Sequence, residues 1–183
     1  MSVWFRFFWV IVTGFFRAPL AIDDVSVMRQ RVWPDELDIN IHMNNAKYLA
    51  VMDLGRTDWI VRTGAWRLMR YERMAPVVGG VMVRYRRSLQ PFQRYLLKTR
   101  LLGADQRWLY IEQVMECRDG IACIAVQRAA FTRAGKLVPS AELAAKLGHP
   151  GPVPAPPDWV THWTAAESEA VAAAELNAKR HAR

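Results

Sequence analysis

Between residues 77 and 132 the chain runs through four stretches dense in Val, Ile, Leu and Tyr, at roughly 77–89, 95–102, 108–117 and 121–132. They are parted by Gln90-Pro91, Gly103-Ala104-Asp105 and Asp119-Gly120, which is turn chemistry. Long strands joined by short turns imply an antiparallel meander. One helix-length segment precedes them, residues 46–63, where Leu49, Met52, Arg56, Trp59 and Ile60 recur at three-to-four spacing and Gly64 supplies a stop. A single early helix followed by a run of strands is an α+β pattern, in which an antiparallel sheet wraps around that helix.

The flanks complete the reading. Residues 25–33 are Val-rich and form a first strand. Residues 139–147 read as a short helix, 149–157 (HPGPVPAPP) as a stiff connector, and 165–179 as a final Ala-rich helix capped by Thr164 or Ser168. Trp159 and Trp163 are expected to anchor this tail on the body. Three units follow: an apolar N-terminal helix (1–22), a core domain (23–148), and a C-terminal connector and helix (149–183). No internal repeat is present.

The chemistry concentrates between the first strand and the helix, in D-I-N-I-H-M-N-N-A-K-Y. Asp38, Asn40 and His42 alternate, and Asn44 and Asn45 stand where a helix N-cap belongs. Helix N-termini offer unpaired N–H groups and partial positive charge. A carboxylate beside them suits acyl transfer, with the acid acting on water or on the carbonyl carbon and the backbone donors at Asn44 and especially Asn45 holding the oxyanion. The plainer alternative for Asp38 is an Asx-turn that ties the loop. Asp35 and Asp53 are the competing acids.

Residues 32–48 (VWPDELDINIHMNNAKY) resemble the first strand, loop and helix start of hotdog-fold thioesterases of the 4-hydroxybenzoyl-CoA thioesterase type. The ten-residue step from Asp38 to Tyr48 and the D-x-N-x-H-x-N-N pattern, similar to that of plant acyl-ACP thioesterases, carry the resemblance. The downstream RRSL, PF, TRLLG, RDG and HW segments extend it over nearly the whole chain, and overall it is closest to the thioesterase superfamily member six-like proteins. The resemblance implies a hotdog fold and hydrolysis of an acyl-CoA or acyl-ACP thioester, in the sphere of fatty acid metabolism. It implies Asp38 as general base or nucleophile, with His42 and Asn40 contributing, and no cofactor beyond the CoA of the substrate. The rival readings are a non-catalytic acyl-binding or membrane scaffold protein of the same fold, and a hotdog dehydratase or hydratase, whose helix motif is not found.

The charge limits the partners. Lys and Arg number 25 against 17 Asp and Glu, a net +8, which suits an anionic partner. No nucleic-acid module appears, so nucleic acid is not expected. Arg84, Arg86, Arg87, Lys98 and Arg100 fall on consecutive strand candidates, read as neighbours, and form a candidate phosphate clamp for CoA or a carrier-protein arm; the alternative is a solvated sheet face. Open strand edges and a half-built site predict a homodimer, or a tetramer of such dimers. A two-residue turn at Asp119-Gly120 sets Cys117 opposite Ala122 and Cys123 opposite Glu116, on opposite faces, so no disulfide is expected between them. With no C-x-x-C or His-rich metal pattern either, the reading is a reducing, cytoplasmic protein without a metal.

Residues 3–16 are strongly apolar, but Arg6 and Arg17 leave ten uncharged residues between them, short of the ~18–20 that span a bilayer. The segment reads as a helix on a membrane surface or packed on the protein, with a true span or uncleaved anchor as the alternative. In the membrane reading both arginines meet anionic headgroups and the body folds without residues 1–20.

Overall fold

The computed structural model describes residues 3–181. Met1, Ser2, Ala182 and Arg183, the outer ends of the two terminal segments expected from sequence, lie outside the described residues. The elements in chain order are α1 (Val3–Phe16), β1 (Ser26–Arg31), a 3-10 turn (Pro34–Glu36), α2 (Asn45–Arg62), α3 (Trp66–Tyr71), β2 (Met74–Tyr85), β3 (Arg94–Ala104), β4 (Leu109–Cys117), β5 (Gly120–Arg133), β6 (Lys136–Leu137), α4 (Ser140–Lys146) and α5 (Asp158–His181).

The antiparallel sheet has the order β1-β3-β4-β5-β2, with the short β6 on β5. It curls around α2, whose Tyr48, Val51, Met52, Leu54, Trp59 and Val61 are all buried. Strand alternation supplies the opposing surface: Tyr95, Leu97 and Thr99 of β3 and Ile111, Gln113 and Met115 of β4 are buried, as period-two geometry requires of a face packed on a helix. Gly55 permits the closest approach. A Cβ there would stand 2.6 Å from Thr99 Oγ1, 2.8 Å from Leu97 Cδ2 and 2.9 Å from Gln113 Nε2. The polar groups at this contact satisfy one another, Gln113 Nε2 donating to the Met52 carbonyl at 2.8 Å and to Thr99 Oγ1 at 3.0 Å.

The four long strands form as the sequence indicates, but only β3, β4 and β5 make a meander. β2 does not pair with β3; it crosses to the far edge and pairs with β5. The physical reason is the helix. The 86–93 connector passes beneath the start of α2, where Met43 N–H donates to the Leu89 carbonyl at 2.9 Å and Leu89 N–H to Tyr48 Oη at 3.2 Å. Gln90-Pro91 therefore lies in a crossover, not in a hairpin. The supposed neighbours β2 and β3 are separated by β4 and β5.

Smaller differences have local causes. The β4–β5 turn centres on Arg118-Asp119, since Cys117 pairs with Gly120, whose φ is +107°. Cys123 thus faces Met115, not Glu116. α5 begins at Asp158, directly after Pro157 and well before the expected caps, because Val160 and Trp163 already pack on Tyr110 and Val126 on the outer face of the sheet. Val160 is the buried anchor and Trp159 is exposed. The 3-10 turn, α3 and β6 were not signalled by periodicity; each is six residues or fewer.

α1 packs along α2. Val10 is buried in the core and Gly14 sits against Val61. Arg6 is buried and ion-paired with buried Glu36, and its other nitrogen donates to Gln30 Oε1 at 2.9 Å. This corrects the expectation that Arg6 faces headgroups: a cation this far from water is kept by a paired acid within the protein. Arg17 reaches Asp58 at 2.7 Å and the Val27 carbonyl of edge strand β1 at 2.9 Å.

Candidate active site

The polar loop is a small self-bonded unit at the N-terminus of α2. Leu37 and Met43 form a β-bridge across it. Asp38 N–H donates to the His42 carbonyl at 2.9 Å, and Ile41 N–H to the Asp38 carbonyl at 3.0 Å. Asp38 Oδ1 accepts the Asn40 N–H at 2.9 Å and, more weakly, the His42 N–H at 3.4 Å. Asp38 is therefore both half-buried and held in orientation. Oδ2 accepts no hydrogen bond from the described residues, so one oxygen fastens the loop and the other is not tied to it. Ile41 adopts φ +60°, a costly conformation for a β-branched residue that the surrounding bonds impose.

The helix start is built by two residues. Asn44 caps it, its side chain accepting the Ala46 N–H at 2.9 Å, while its own N–H is spent on the Glu36 carbonyl at 2.8 Å. This corrects the assignment of Asn44 as an oxyanion donor: its N–H is engaged. The Asn45 N–H, one residue into the helix, has no acceptor among the described residues and points from the positive end of the α2 dipole. Asn40 and His42 lie in the loop as expected, but it is their backbone that meets Asp38. The Asn40 side chain is exposed, and the His42 ring makes no hydrogen bond among the described residues.

Two tyrosines that sequence reading did not single out as site residues line this corner. Tyr85, at the end of β2, donates to the Asn45 carbonyl at 3.1 Å and meets Tyr48 edge-on, with ring centroids 5.2 Å apart. Burial raises both phenol pKa values, so both hydroxyls are neutral donors near neutral pH. Nothing in the strand-like local sequence of Tyr85 marks it; the crossover brings it here. Glu36 was also missed. It joins α1, through Arg6, to the loop, with Oε2 accepting the Trp33 N–H at 2.8 Å.

The five basic residues divide. Arg84 precedes Tyr85, the last residue of β2, and Arg86 and Arg87 follow, their N–H groups on the Ala122 carbonyl at 2.8 and 3.1 Å. All three are exposed at the α2 N-terminal end. Lys98 and Arg100 are on β3, across the sheet, and are ion-paired with Glu116 and Glu112. A single clamp of all five, read from neighbouring strands, does not exist in one chain. Of the competing acids, Asp53 is ion-paired with Arg56 on α2. That pair edges a cavity of about 250 Å³ between α2 and strands β2, β4 and β5, whose apolar wall includes Ile60, Val77, Leu109 and Phe131. Desolvation lowers the Arg56 pKa to about 10, which leaves it charged at neutral pH. No group of three or more His, Cys, Asp or Glu among the described residues is placed to hold a metal.

A sheet curled around one central helix, with an acid on the loop entering that helix, defines a hotdog-fold protein. Solved hotdog structures superpose on the chain. A probable thioesterase from Escherichia coli, YbaW, aligns with a TM-score of 0.63 at 19% identity, covering 67% of this chain and 96% of that one. A Staphylococcus aureus protein, SAV2348, solved in complex with CoA, aligns with a TM-score of 0.60 at 13% identity, covering 71% and 85%. Residues 32–164 match the thioesterase-like superfamily, and the chain belongs to that family. Among curated relatives, Protein THEM6 of Danio rerio is 36% identical over 137 residues, 66% of this chain and 67% of that protein. Protein THEM6 of Xenopus laevis is 38% identical over 82 residues, 45% of this chain and 40% of that one.

Proposed function

We propose that the protein hydrolyses an acyl-CoA or acyl-ACP thioester, with Asp38 as general base or nucleophile. The observation that carries this is the divided carboxylate. One Asp38 oxygen is fixed by the loop and the other is free, at the start of a helix whose Asn45 N–H lacks an acceptor. A thiolate is a good leaving group, so one carboxylate and one or two oxyanion donors suffice. Arg84, Arg86 and Arg87, exposed at the same end, suit the phosphates of CoA or of a carrier arm. Family membership and a neighbour that binds CoA support this substrate class.

The working unit in this reading is a homodimer. The β1 edge is short, six residues, and its Val27 carbonyl is taken by Arg17. The β2 edge is longer, twelve residues, carries exposed Val78, Val81 and Tyr85, and is the edge this reading assigns to pairing. Pairing there would set the Tyr85 end of each chain near its partner.

A panel of acyl-CoAs of increasing length, with released thiol followed by absorbance, tests the activity, and Asp38→Asn tests the role. The loss expected is about 10²–10⁴-fold in kcat, the usual worth of a positioned acid or base, with an unchanged melting curve. Retention of most kcat in folded Asp38→Asn removes Asp38 from the chemistry. The second reading, acyl binding without turnover, rests on the Asx-turn: a purely structural Asp makes the same Oδ1 contacts. It is favoured if wild type binds acyl-CoA by calorimetry yet releases no thiol from any member of the panel.

A further inference from the structure

α1 is divided lengthwise. Arg6, Val10 and Gly14 lock one side into the body. The opposite side holds Trp4, Phe5, Phe8, Trp9 and Phe16 in the open, with Trp4 82%, Phe8 63% and Trp9 58% exposed. Positions 4, 5, 8, 9 and 16 share one helical face. A stripe of four exposed aromatics over the first turns of one face, with Phe16 at its far end, marks an interaction site, not ordinary surface scatter.

Beside that stripe runs a groove of about 840 Å³ between α1 and the edge of β1. Trp9 lines it and belongs to both features. Its cationic wall comes from Arg29, Arg31 and Arg94. Arg31 and Arg94 stand directly opposite in the β1–β3 register, and like charges so placed repel. None of the three has an ion pair among the described residues. Glu116, which lines an adjoining cavity with Arg29 and Arg94, is taken by Lys98. Three arginines left without an acid partner, next to exposed indoles and phenyls, complement an anionic headgroup beside acyl chains.

The geometry points to a membrane-docking face: α1 lies flat in the interface of an anionic phospholipid surface, its aromatic side among the upper acyl chains, and Arg29, Arg31 and Arg94 take lipid phosphates in the groove. α1 lies on the bilayer and does not cross it. Its 14 residues span about 21 Å at 1.5 Å per residue, against a hydrocarbon core of about 30 Å, and among the described residues no helix is long and apolar enough to cross a membrane. Unlike the sequence expectation, this places Arg6 as an internal bolt and assigns headgroup contact to three arginines outside the apolar segment. The inference is independent of thioester hydrolysis.

The test is co-sedimentation of the full chain with vesicles of phosphatidylcholine alone and with 30% phosphatidylglycerol (roughly the anionic excess that gives a surface potential of tens of millivolts). Binding is expected to the anionic vesicles and to fall with salt. At about fivefold per cation near a charged surface, Arg29→Ala, Arg31→Ala and Arg94→Ala together should weaken it by more than tenfold. Trp4→Ser with Phe8→Ser, both exposed and foreign to the core, should also weaken it with the melting curve held. Equal binding to both vesicle types, or an arginine variant that binds like the parent, overturns the proposal. So does a chain that ignores vesicles and whose oligomeric mass falls when Trp4 and Phe8 are replaced, which would assign the stripe to a second copy.

Discussion

Asp38 ties its loop with one carboxylate oxygen, and the chemistry proposed for it falls to the other. Its Oδ1 bonds to the Asn40 and His42 N–H groups orient it and leave Oδ2 without a hydrogen bond from the described residues. Because the His42 ring takes no part in that network, His42→Ala is expected to lower kcat by less than tenfold, far below the 10²–10⁴ of Asp38→Asn; parallel kcat measurements decide, and an equal loss moves the central role to His42. The cysteines give a second residue-scale expectation. Burial pushes the Cys123 thiol up to about 12, while Cys117 is half-buried and donates to the Gly120 carbonyl at 3.3 Å. At pH 8 a thiol reagent should label Cys117 first and Cys123 only on unfolding, since the thiolate is the nucleophile. Mass spectrometry of the labelled native protein reads this out. The positions of Asp38, Asn40 and His42 in one loop were legible because they are close in sequence. That only their backbones engage Asp38, and that Tyr85 arrives from forty residues away, was not, because a loop's hydrogen bonds depend on its fold and not on its composition.

At the scale of elements, α2 was the most legible piece. Asn44 caps it and Gly64, at φ +80°, follows its end, and both signals are local. Its intimacy with the sheet hinges on Gly55. Gly55→Ala would force a methyl against Thr99, Leu97 and Gln113 and should destabilise by about 1–3 kcal/mol, as overpacking does, despite alanine's better helix propensity. Urea denaturation midpoints measure this, and a stabilised variant would show that the contact yields. α1 is held more strongly than its apolar sequence suggests. Glu36→Ala leaves Arg6 buried without its acid, and breaking such a pair by one partner costs about 3–5 kcal/mol. The same urea experiment should show a large loss, and Glu36→Gln, which keeps a hydrogen-bond acceptor, a smaller one. For the same reason, deletion of residues 1–20 is expected to lower the melting temperature sharply.

For the whole molecule, the arrangement of edges matters most. β1 is a short edge whose Val27 carbonyl is held by Arg17, and β2 is a long one with exposed apolar side chains. Val78→Lys with Val81→Lys should place like charges along that edge and prevent pairing. Light scattering is expected to show a dimer for the parent chain and a monomer for the variant, with activity lost alongside mass. An active parent monomer at assay concentration would remove the dimer from the mechanism.

The local signals determined what could be built. Period-two and three-to-four spacing set the strands and the central helix, turn residues parted them, and an acid–amide–imidazole loop before a capped helix drew attention to one end of α2. Tertiary structure decided which strands met. β2 crosses to β5 because the sheet must enclose α2 from both sides, and that crossing separates Arg84, Arg86 and Arg87 from Lys98 and Arg100 and carries Tyr85 to Asn45. It also decided that Arg6 is internal: whether an arginine in an apolar helix seeks a headgroup or a partner depends on what packs beside it, and Glu36, thirty residues on, is adjacent only once the chain has folded.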